Sequence, residues 1–540
     1  IATALFFFYV QFALPPAIPY KGDTAIVSAK REQKGEHFYR LKNCWLRKSD
    51  SGLWEEYVEG APFERGVIAG KLGSELMRKQ EVAFVDQIHQ LVPNNNYLTF
   101  LRYFTRFFNR HLEENVTEEY RSEIYGESLS APHEFDFLGT PYDRMLNYHA
   151  AHDIGHALQS LALVGCTSFA AWNEHSADSS LIIGRNFDFY AGDKFAEDKL
   201  VFFCKPESGH PFAMITWGGF LGAVSGMNMK GITVTMNAAK SDIPTQSATP
   251  ISLLGREILQ YAGSIDEAYT IAKKRKTFVS ETLMIGSATE HTTALIEKSP
   301  AKTVLVRAVK SEMFCANHYQ SDSFKNDKNN IENIATAATG YRFERLKELF
   351  EQQPIDYNRA AAMLRDKAGL HNANIGLGNE KAMNQLIAHH AVIFEPEKLR
   401  MWVSTAPFQL GAFECYDLNK VFADNMMQDH EICDTALTIP ADSFLKSEGW
   451  KNFLEFKERR AAIKLAIHNK KRLTNEQQIL QRIVASNPEY FESYLWCGKY
   501  LQAFGRKEEA VKYYRQALTK EVNAKSEADQ ISHLIEVCSK

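Results

Sequence analysis

Downstream of residue 165 the chain is written in short apolar runs rich in Ile, Val, Phe and Thr, bounded by Gly, Asn and Asp. Runs of that length and make-up predict strands. They fall at residues 166–172, 180–189, 200–203, 211–217, 231–237, 281–297, 302–315, 391–394 and 400–404. Helical patterning interrupts them. Thr249-Pro250 opens a helix over 251–262, Ser264 and Glu267 have capping-box spacing ahead of a second, and a third is predicted near 341–350. Strand runs broken by paired helices predict two packed sheets with helices outside. The pattern ahead of residue 165 reads as largely helical, above all over 100–160, and the last 75 residues are helical and Glu/Lys-rich.

Composition narrows the function classes. The chain has 540 residues, enough for two to four structural units, and a globular balance of 45% hydrophobic and 24% charged residues. Lys+Arg 62 against Asp+Glu 66 leaves no basic excess, which argues against a nucleic-acid partner. The eight cysteines are scattered without a Cys-x-x-Cys pair, so neither a zinc site nor a disulfide framework is expected. His149, His152 and His156 share one helical face that could hold a metal. No second ligand cluster accompanies them, and a packed or hydrogen-bonded histidine face is the expectation. No metal and no cofactor is expected.

The two ends differ from the middle. Residues 1–14 (IATALFFFYVQFAL) are almost wholly apolar and are followed by Pro15-Pro16. Fourteen residues are too short to span a bilayer, which needs about 20. They read as the tail of a membrane anchor, with a signal remnant or a buried helix as alternatives, and the anchor reading places the body on the extracytoplasmic, periplasmic side rather than in the cytoplasm. Near the other end, Trp496, Gly498, Tyr500, Ala510, Tyr514 and Ala517 have the spacing of a tetratricopeptide-like helix pair, which could bind a protein partner or equally be a small helical appendage docked on the main body.

The junction Val164-Gly165-Cys166-Thr167-Ser168 carries the most chemistry. A helical segment ends, a glycine follows and a cysteine opens a strand. Arg185 and Asp188 lie in the next strand run, GRNFDF, where a hairpin could set Arg185 beside Cys166. An arginine beside a thiol favours thiolate. Spacing alone favours the plainer reading, a hairpin with an ordinary surface ion pair.

Cys166-Thr167-Ser168-Phe169 followed by Gly184-Arg185-Asn186-Phe187-Asp188-Phe189 resembles the start of the mature chain in the choloylglycine hydrolase and penicillin acylase group of N-terminal-nucleophile hydrolases. The upstream segment Gly60-Ala61-Pro62-Phe63-Glu64-Arg65-Gly66 with Gly70 is similar to the prosegment of one branch, the self-cleaving acyl-CoA:6-aminopenicillanic acid acyltransferase-like family. Ser225 to Gly231 with Asn237, Ala316-Asn317-His318 and Tyr341 to Arg345 resemble its later blocks, in order.

The resemblance implies an α+β fold, an αββα sandwich, and a precursor that cuts itself between Gly165 and Cys166. It implies Cys166 as nucleophile, Asp188 holding its freed amine, and Arg185 stabilising thiolate. Asn237 and Asn317 would supply oxyanion donors. Arg342 would complete the network, with Arg345, one turn later, as the competing choice. The resemblance covers a largely helical prosegment at 21–165 and the catalytic core at 166–440; residues 1–20 (anchor or signal remnant) and 441–540 (helical, tetratricopeptide-like) are additions to the family pattern. The implied activity is hydrolysis of a linear N-acyl amide on a small-molecule or lipid substrate through a thioester. Alternatives are acyl transfer to an amine or hydroxyl and a catalytically dead membrane-associated scaffold, against which the intact residue set argues. Phe202, Phe203, Phe212, Met214, Phe220, Met227 and Met229 could line an acyl pocket, although most read as core.

Overall fold

The computed structural model describes residues 18–19, 21–91, 103, 105–107, 109–150, 165–240, 248–351, 354–423 and 431–540. Four strands come first: β1 (Glu32–Gly35), β2 (Phe38–Leu41), β3 (Cys44–Lys48) and β4 (Trp54–Gly60). Helices α1 (Pro62–Leu72), α2 (Ser74–Leu91), α3 (Glu118–Ser128) and α4 (Pro141–His149) follow. Beyond Cys166 come β5 (Thr167–Asn173), β6 (Ser179–Phe187), β7 (Leu200–Pro206), β8 (Phe212–Thr216), β9 (Ser225–Asn228) and β10 (Ile232–Ala238). Next are α5 (Ile251–Tyr261), α6 (Ile265–Lys274), β11 (Glu281–Ser287), β12 (Thr292–Lys298), β13 (Thr303–Arg307) and β14 (Glu312–Cys315). The core closes with α7 (Lys328–Thr336), α8 (Ala338–Phe350), α9 (Tyr357–Leu364), β15 (His390–Glu395), β16 (Arg400–Ser404) and β17 (Phe413–Asp417).

Among the described residues these strands make two sheets. An eleven-stranded sheet runs β1-β2-β3-β4-β7-β8-β9-β10-β11-β12-β13, and a six-stranded one runs β14-β5-β6-β15-β16-β17. Alternate side chains of each strand enter different cores, as the period of two requires. Val201, Phe203, Ala213, Ile215 and Met284 of the large sheet meet Ala170, Ile183, Val392, Phe394 and Val403 of the small sheet in one apolar layer. Phe202, Met214, Val234 and Leu283 turn the other way, onto α1, α3, α5 and α6. Phe169, Ile182, Ile393 and Trp402 pack on α8 and α9. The stack is therefore helix, sheet, sheet, helix.

The segment ahead of Cys166, expected to be largely helical, contributes four strands as well. β4 pairs in parallel with β7 from Trp54↔Leu200 to Gly60↔Pro206 and so joins the upstream segment to the large sheet. Charge hides this strand from the sequence. Glu55 and Glu56 are both buried, Glu55 against Arg47 (2.6 Å) and the Tyr416 hydroxyl (2.8 Å).

The Pro62-to-Gly70 run forms α1, with Pro62 at its first turn and Arg65 buried. Arg65 and Arg256 of α5 both hold the Glu123 carboxylate of α3, at 2.6 and 2.9 Å, a buried triad that joins upstream and downstream helices. The two glycines of α1 serve contact with α3. A Cβ at Gly66 would sit 1.9 Å from the Glu123 carbonyl oxygen, and one at Gly70 2.6 Å from that of Glu127. Backbone cannot yield as a side-chain tip can, so Gly66→Ala is expected to cost about 3 kcal/mol or more, read as a lowered midpoint in denaturant titration.

His149 is fully buried. Its Nδ1 bonds the Met145 carbonyl (2.7 Å), its Nε2 accepts from the Leu221 amide (2.9 Å), and the ring stacks on Phe220. Both nitrogens are thus used by the fold. His152 and His156 lie outside the described residues, as does the apolar run 1–14. No helix among the described residues is long and apolar enough to cross a membrane.

The tail is helical: α10 (Glu448–His468), α11 (Glu476–Ser486), α12 (Phe491–Ala503), α13 (Lys507–Ala517) and α14 (Lys525–Ser539). Gly498 lets Tyr514 of α13 lie against α12; a Cβ there would meet the ring at 2.4 Å. The tail grips the loop between α9 and β15. Asn487 exchanges two bonds with the Leu377 backbone (3.0 and 2.8 Å), Asn523 accepts from the Glu380 amide (3.1 Å), and Asn379 donates to the Glu521 carbonyl (2.8 Å).

Candidate active site

Cys166 stands one residue ahead of β5 and is fully buried. β5 pairs with β6 antiparallel, Thr167 opposite Asn186 and Ser168 opposite Arg185. Cys166 and Ser168 share a face, so the Arg185 side chain is delivered to the cysteine. Arg185 Nη2 lies 3.6 Å from Cys166 Sγ. The guanidinium also reaches across the sandwich to Ser225 Oγ (2.5 Å) and the Met236 carbonyl, and it stacks on Phe187. Ser225 Oγ is 2.8 Å from His390 Nε2, and His390 leans on His389 through their Nδ1 atoms (2.9 Å).

A second guanidinium grips the backbone of the same residue. Arg342, in the first turns of α8, donates to the Cys166 carbonyl (2.9 Å), to Thr167 Oγ1 (2.6 Å) and to Asn317 Oδ1 (2.6 Å). Arg345 turns away, onto Asp366 (2.9 Å) and Glu348 (3.0 Å). The geometry therefore separates the two arginines.

Asn237 is the next-to-last residue of β10 in the facing sheet. Its Oδ1 accepts from Ser168 Oγ (2.8 Å) and its Nδ2 donates to the Cys315 carbonyl (3.2 Å). Asn317 Nδ2 donates to the Ala238 carbonyl (3.0 Å). His318, beside it, bonds Thr339 Oγ1 (2.8 Å).

Asp188 follows β6 and is fully buried. Its Oδ1 has no hydrogen-bond partner, and its Oδ2 is 3.4 Å from Gln385 Nε2. Burial pushes its carboxyl up to about 7 against the pull of Arg342 and Arg185. Burial likewise lifts the Cys166 thiol to about 11, although Arg185 draws it down. The Gly165 carbonyl accepts from Gln385 Nε2 at 2.7 Å. Sequence reading singled out Cys166 and five residues for it, Arg185, Asp188, Asn237, Asn317 and Arg342, and the structure brings these five around the one junction. Sequence reading missed Ser225's partner His390, Thr167 and Gln385. Gln385 is 220 residues from Gly165 in the chain, and no local pattern links them.

Beside the site lies a small, apolar, partly open cavity. Its downstream wall includes Phe189, Trp217, Phe220 and Val224; α2 and α4 of the upstream segment supply Met77, Phe84, Met145 and Tyr148. Trp217 and Phe189 both stack on Phe187, the ring beneath Arg185. The cavity is thus one aromatic layer from the cysteine. Of the expected pocket residues Phe220 lines it, whereas Phe202, Phe203, Phe212, Met214 and Met227 are core. Met229 is partly buried against the layer between the sheets.

A buried cysteine heading an inner strand of a four-layer sandwich, with two arginines and a carboxyl around it, is the architecture that the resemblance to N-terminal-nucleophile hydrolases implied. Residues 172–409 match the model of the acyl-coenzyme A:6-aminopenicillanic acid acyl-transferase family. The matched stretch contains Arg185, Asp188, Asn237, Asn317, Arg342 and Gln385 and begins six residues after Cys166.

An uncharacterized protein of Archaeoglobus fulgidus is 27% identical over 274 residues, 46% of this chain and 45% of that one. Protein dcd1A of Dictyostelium discoideum is 25% identical over 262 residues, 44% of this chain and 57% of that one. The chain thus spans about half the length of these curated relatives. Among solved structures, an N-acylethanolamine-hydrolyzing acid amidase ortholog of Caenorhabditis elegans aligns with 43% of this chain and 93% of its own, at 14% identity and TM-score 0.31. A conjugated bile acid hydrolase of Clostridium perfringens aligns with 47% and 93%, at 13% identity and TM-score 0.32.

Proposed function

We propose that the chain is the precursor of a cysteine amidohydrolase that first opens its own Gly165–Cys166 bond and then cleaves linear N-acyl amides through a thioester on Cys166. The observation that carries this reading is the convergence on one buried cysteine of Arg185 at the sulfur and Arg342 at the carbonyl, next to a carboxyl with one unpartnered oxygen.

After cleavage the Cys166 α-amine, with an ordinary value of about 7.7–8.0, is a base for its own thiol near neutral pH. Asp188 holds that amine, and Arg185 stabilises the thiolate. Sulfur attacks the acyl carbonyl, the oxyanion is met by the Asn237 and Asn317 amides, and the amine leaves. Water then attacks the thioester, releases the acid and restores the thiol. Acyl transfer differs only in that an amine or hydroxyl takes the place of water, and the match of residues 172–409 to an acyl-transferase family supports keeping that alternative.

The cavity lined by Trp217, Phe220, Met77 and Met145 supports an apolar acyl group. Each buried methylene contributes about 0.8 kcal/mol, close to fourfold in affinity. Along a series of N-acyl glycines of rising chain length, kcat/KM is expected to climb about fourfold per methylene until the cavity fills. Release of free acid is the assay for hydrolysis; a new ester or amide in the presence of added amines and alcohols reports transfer. A chain-length profile that stays flat from acetyl to palmitoyl sinks the apolar-acyl assignment.

A further inference from the structure

We propose that Gln385 is the oxyanion donor for self-cleavage, a task separate from that of the two asparagines toward external substrate. The inference rests on the self-processing reading above. In the uncut chain the Asn237 and Asn317 amides are turned onto the Cys315 and Ala238 carbonyls, and their oxygens accept from Ser168 and Arg342. The bond that must open has a different donor on its carbonyl: Gln385 Nε2, 2.7 Å from Gly165 O, with the glutamine buried.

Two further features make this contact specific. A Cβ on residue 165 would sit 2.6 Å from both Nε2 and Oε1 of Gln385, so only glycine leaves room for the amide to come this close. Gln385 also rides on a loop held at many points. The tail pins residues 377–380 through Asn487, Asn523 and the Glu521 carbonyl, and the Asn384 amide is fixed on the Asp366 carbonyl at 2.8 Å. A donor held in place before the charge forms is the arrangement that stabilises an oxyanion most.

The step balances as follows. The thiol proton passes to Asp188, and Sγ bonds to the Gly165 carbonyl carbon. The carbonyl π pair moves onto oxygen, where the Gln385 N–H meets it. Collapse breaks the C–N bond, and the departing Cys166 nitrogen takes the proton from Asp188. One water then hydrolyses the thioester to a Gly165 carboxylate and a free thiol.

The test follows full-length precursor made in a short cell-free pulse, with splitting timed by gel and mass spectrometry and folding checked by thermal melting. Removing one oxyanion donor costs about 100- to 1000-fold, so Gln385→Ala is expected to split at least about 100-fold more slowly. Gly165→Ala displaces only the tip of a flexible side chain, so it is expected to fold yet split slowly. Because it acts through the same amide, it adds little to Gln385→Ala in the double variant. Gln385→Glu is expected to turn the parent's rising pH profile into a low bell, because Asp188 must ionise to take the thiol proton while the new carboxyl must stay protonated to donate. A folded Gln385→Ala that splits at the parent's rate overturns the assignment, as does a Gln385→Glu profile that tracks the parent. If Gln385→Ala does not fold, Gly165→Ala and the Gln385→Glu profile decide. A parent that never splits removes the self-processing reading and this one together.

Discussion

Cys166→Ala is expected to remain one chain under conditions in which the parent yields two, one ending at Gly165 and one beginning at Cys166. Intact-mass measurement reads this directly. The argument is chemical: without sulfur nothing attacks the Gly165 carbonyl, because the guanidiniums of Arg185 and Arg342 and the amide of Gln385 are not nucleophiles. The fold should tolerate the change. The side chain is small and buried, and among the described residues it accepts the 3.6 Å contact from Arg185, which also keeps Ser225 and the Met236 carbonyl. Loss of splitting and of acyl turnover together is the expected result. Full turnover by an alanine variant, or by a parent whose Gly165–Cys166 bond is still whole, removes the proposal.

Asp188 should govern the pH dependence of the same step. Burial pushes its carboxyl up to about 7, so the base form grows in as pH rises through neutrality. The self-cleavage rate is expected to rise across that window, and Asp188→Asn to lower it about 100-fold or more and flatten the profile. Stability should move the opposite way. A carboxyl raised in the folded state binds its proton more tightly there than in the unfolded chain, where its value is about 3.9. Its contribution is full below about 4 and is lost as pH climbs through about 7. In a Cys166→Ala background, Asp188→Asn should therefore melt higher than its parent at pH 8, with the gap shrinking toward pH 4. A gap that widens in acid instead would mean that Asp188 is held ionised by its arginines rather than lifted by burial.

How much of this was legible in the sequence differs by element. β5, β6, β10, β15 and β16 were readable because Ile, Val, Phe and Thr dominate short, turn-bounded runs. Their pairing put Arg185 beside Cys166, as a hairpin would. β1 was hidden because EQKG is fully exposed and carries no apolar signal. β4 was hidden because it buries glutamates where a strand usually buries valine. The helix at 251 was placed correctly, but Thr249 does not cap it; its hydroxyl donates to the Asn115 carbonyl, and Pro250 takes the cap position. The second helix does start at its Ser264 cap, which accepts from the Glu267 amide. Arg342 and Arg345 share a helix and a similar face, and only the packing of α8 against β5 assigns one to the cysteine and the other to Asp366. Gln385 could not have been found, since a loop with no periodic signal delivers it.

The parallel pairing of β4 with β7 has a consequence for what a cut at residue 165 leaves behind. Seven residue pairs bind the upstream piece into a sheet whose other strands lie downstream, and the Arg65–Glu123–Arg256 triad ties the two a second time. Departure of the leader would strip β7 of its neighbour and expose a long row of unpaired backbone groups. Scission would therefore yield a non-covalent two-polypeptide subunit rather than a discarded fragment. It should travel as one species on a native column and separate into two only in denaturant.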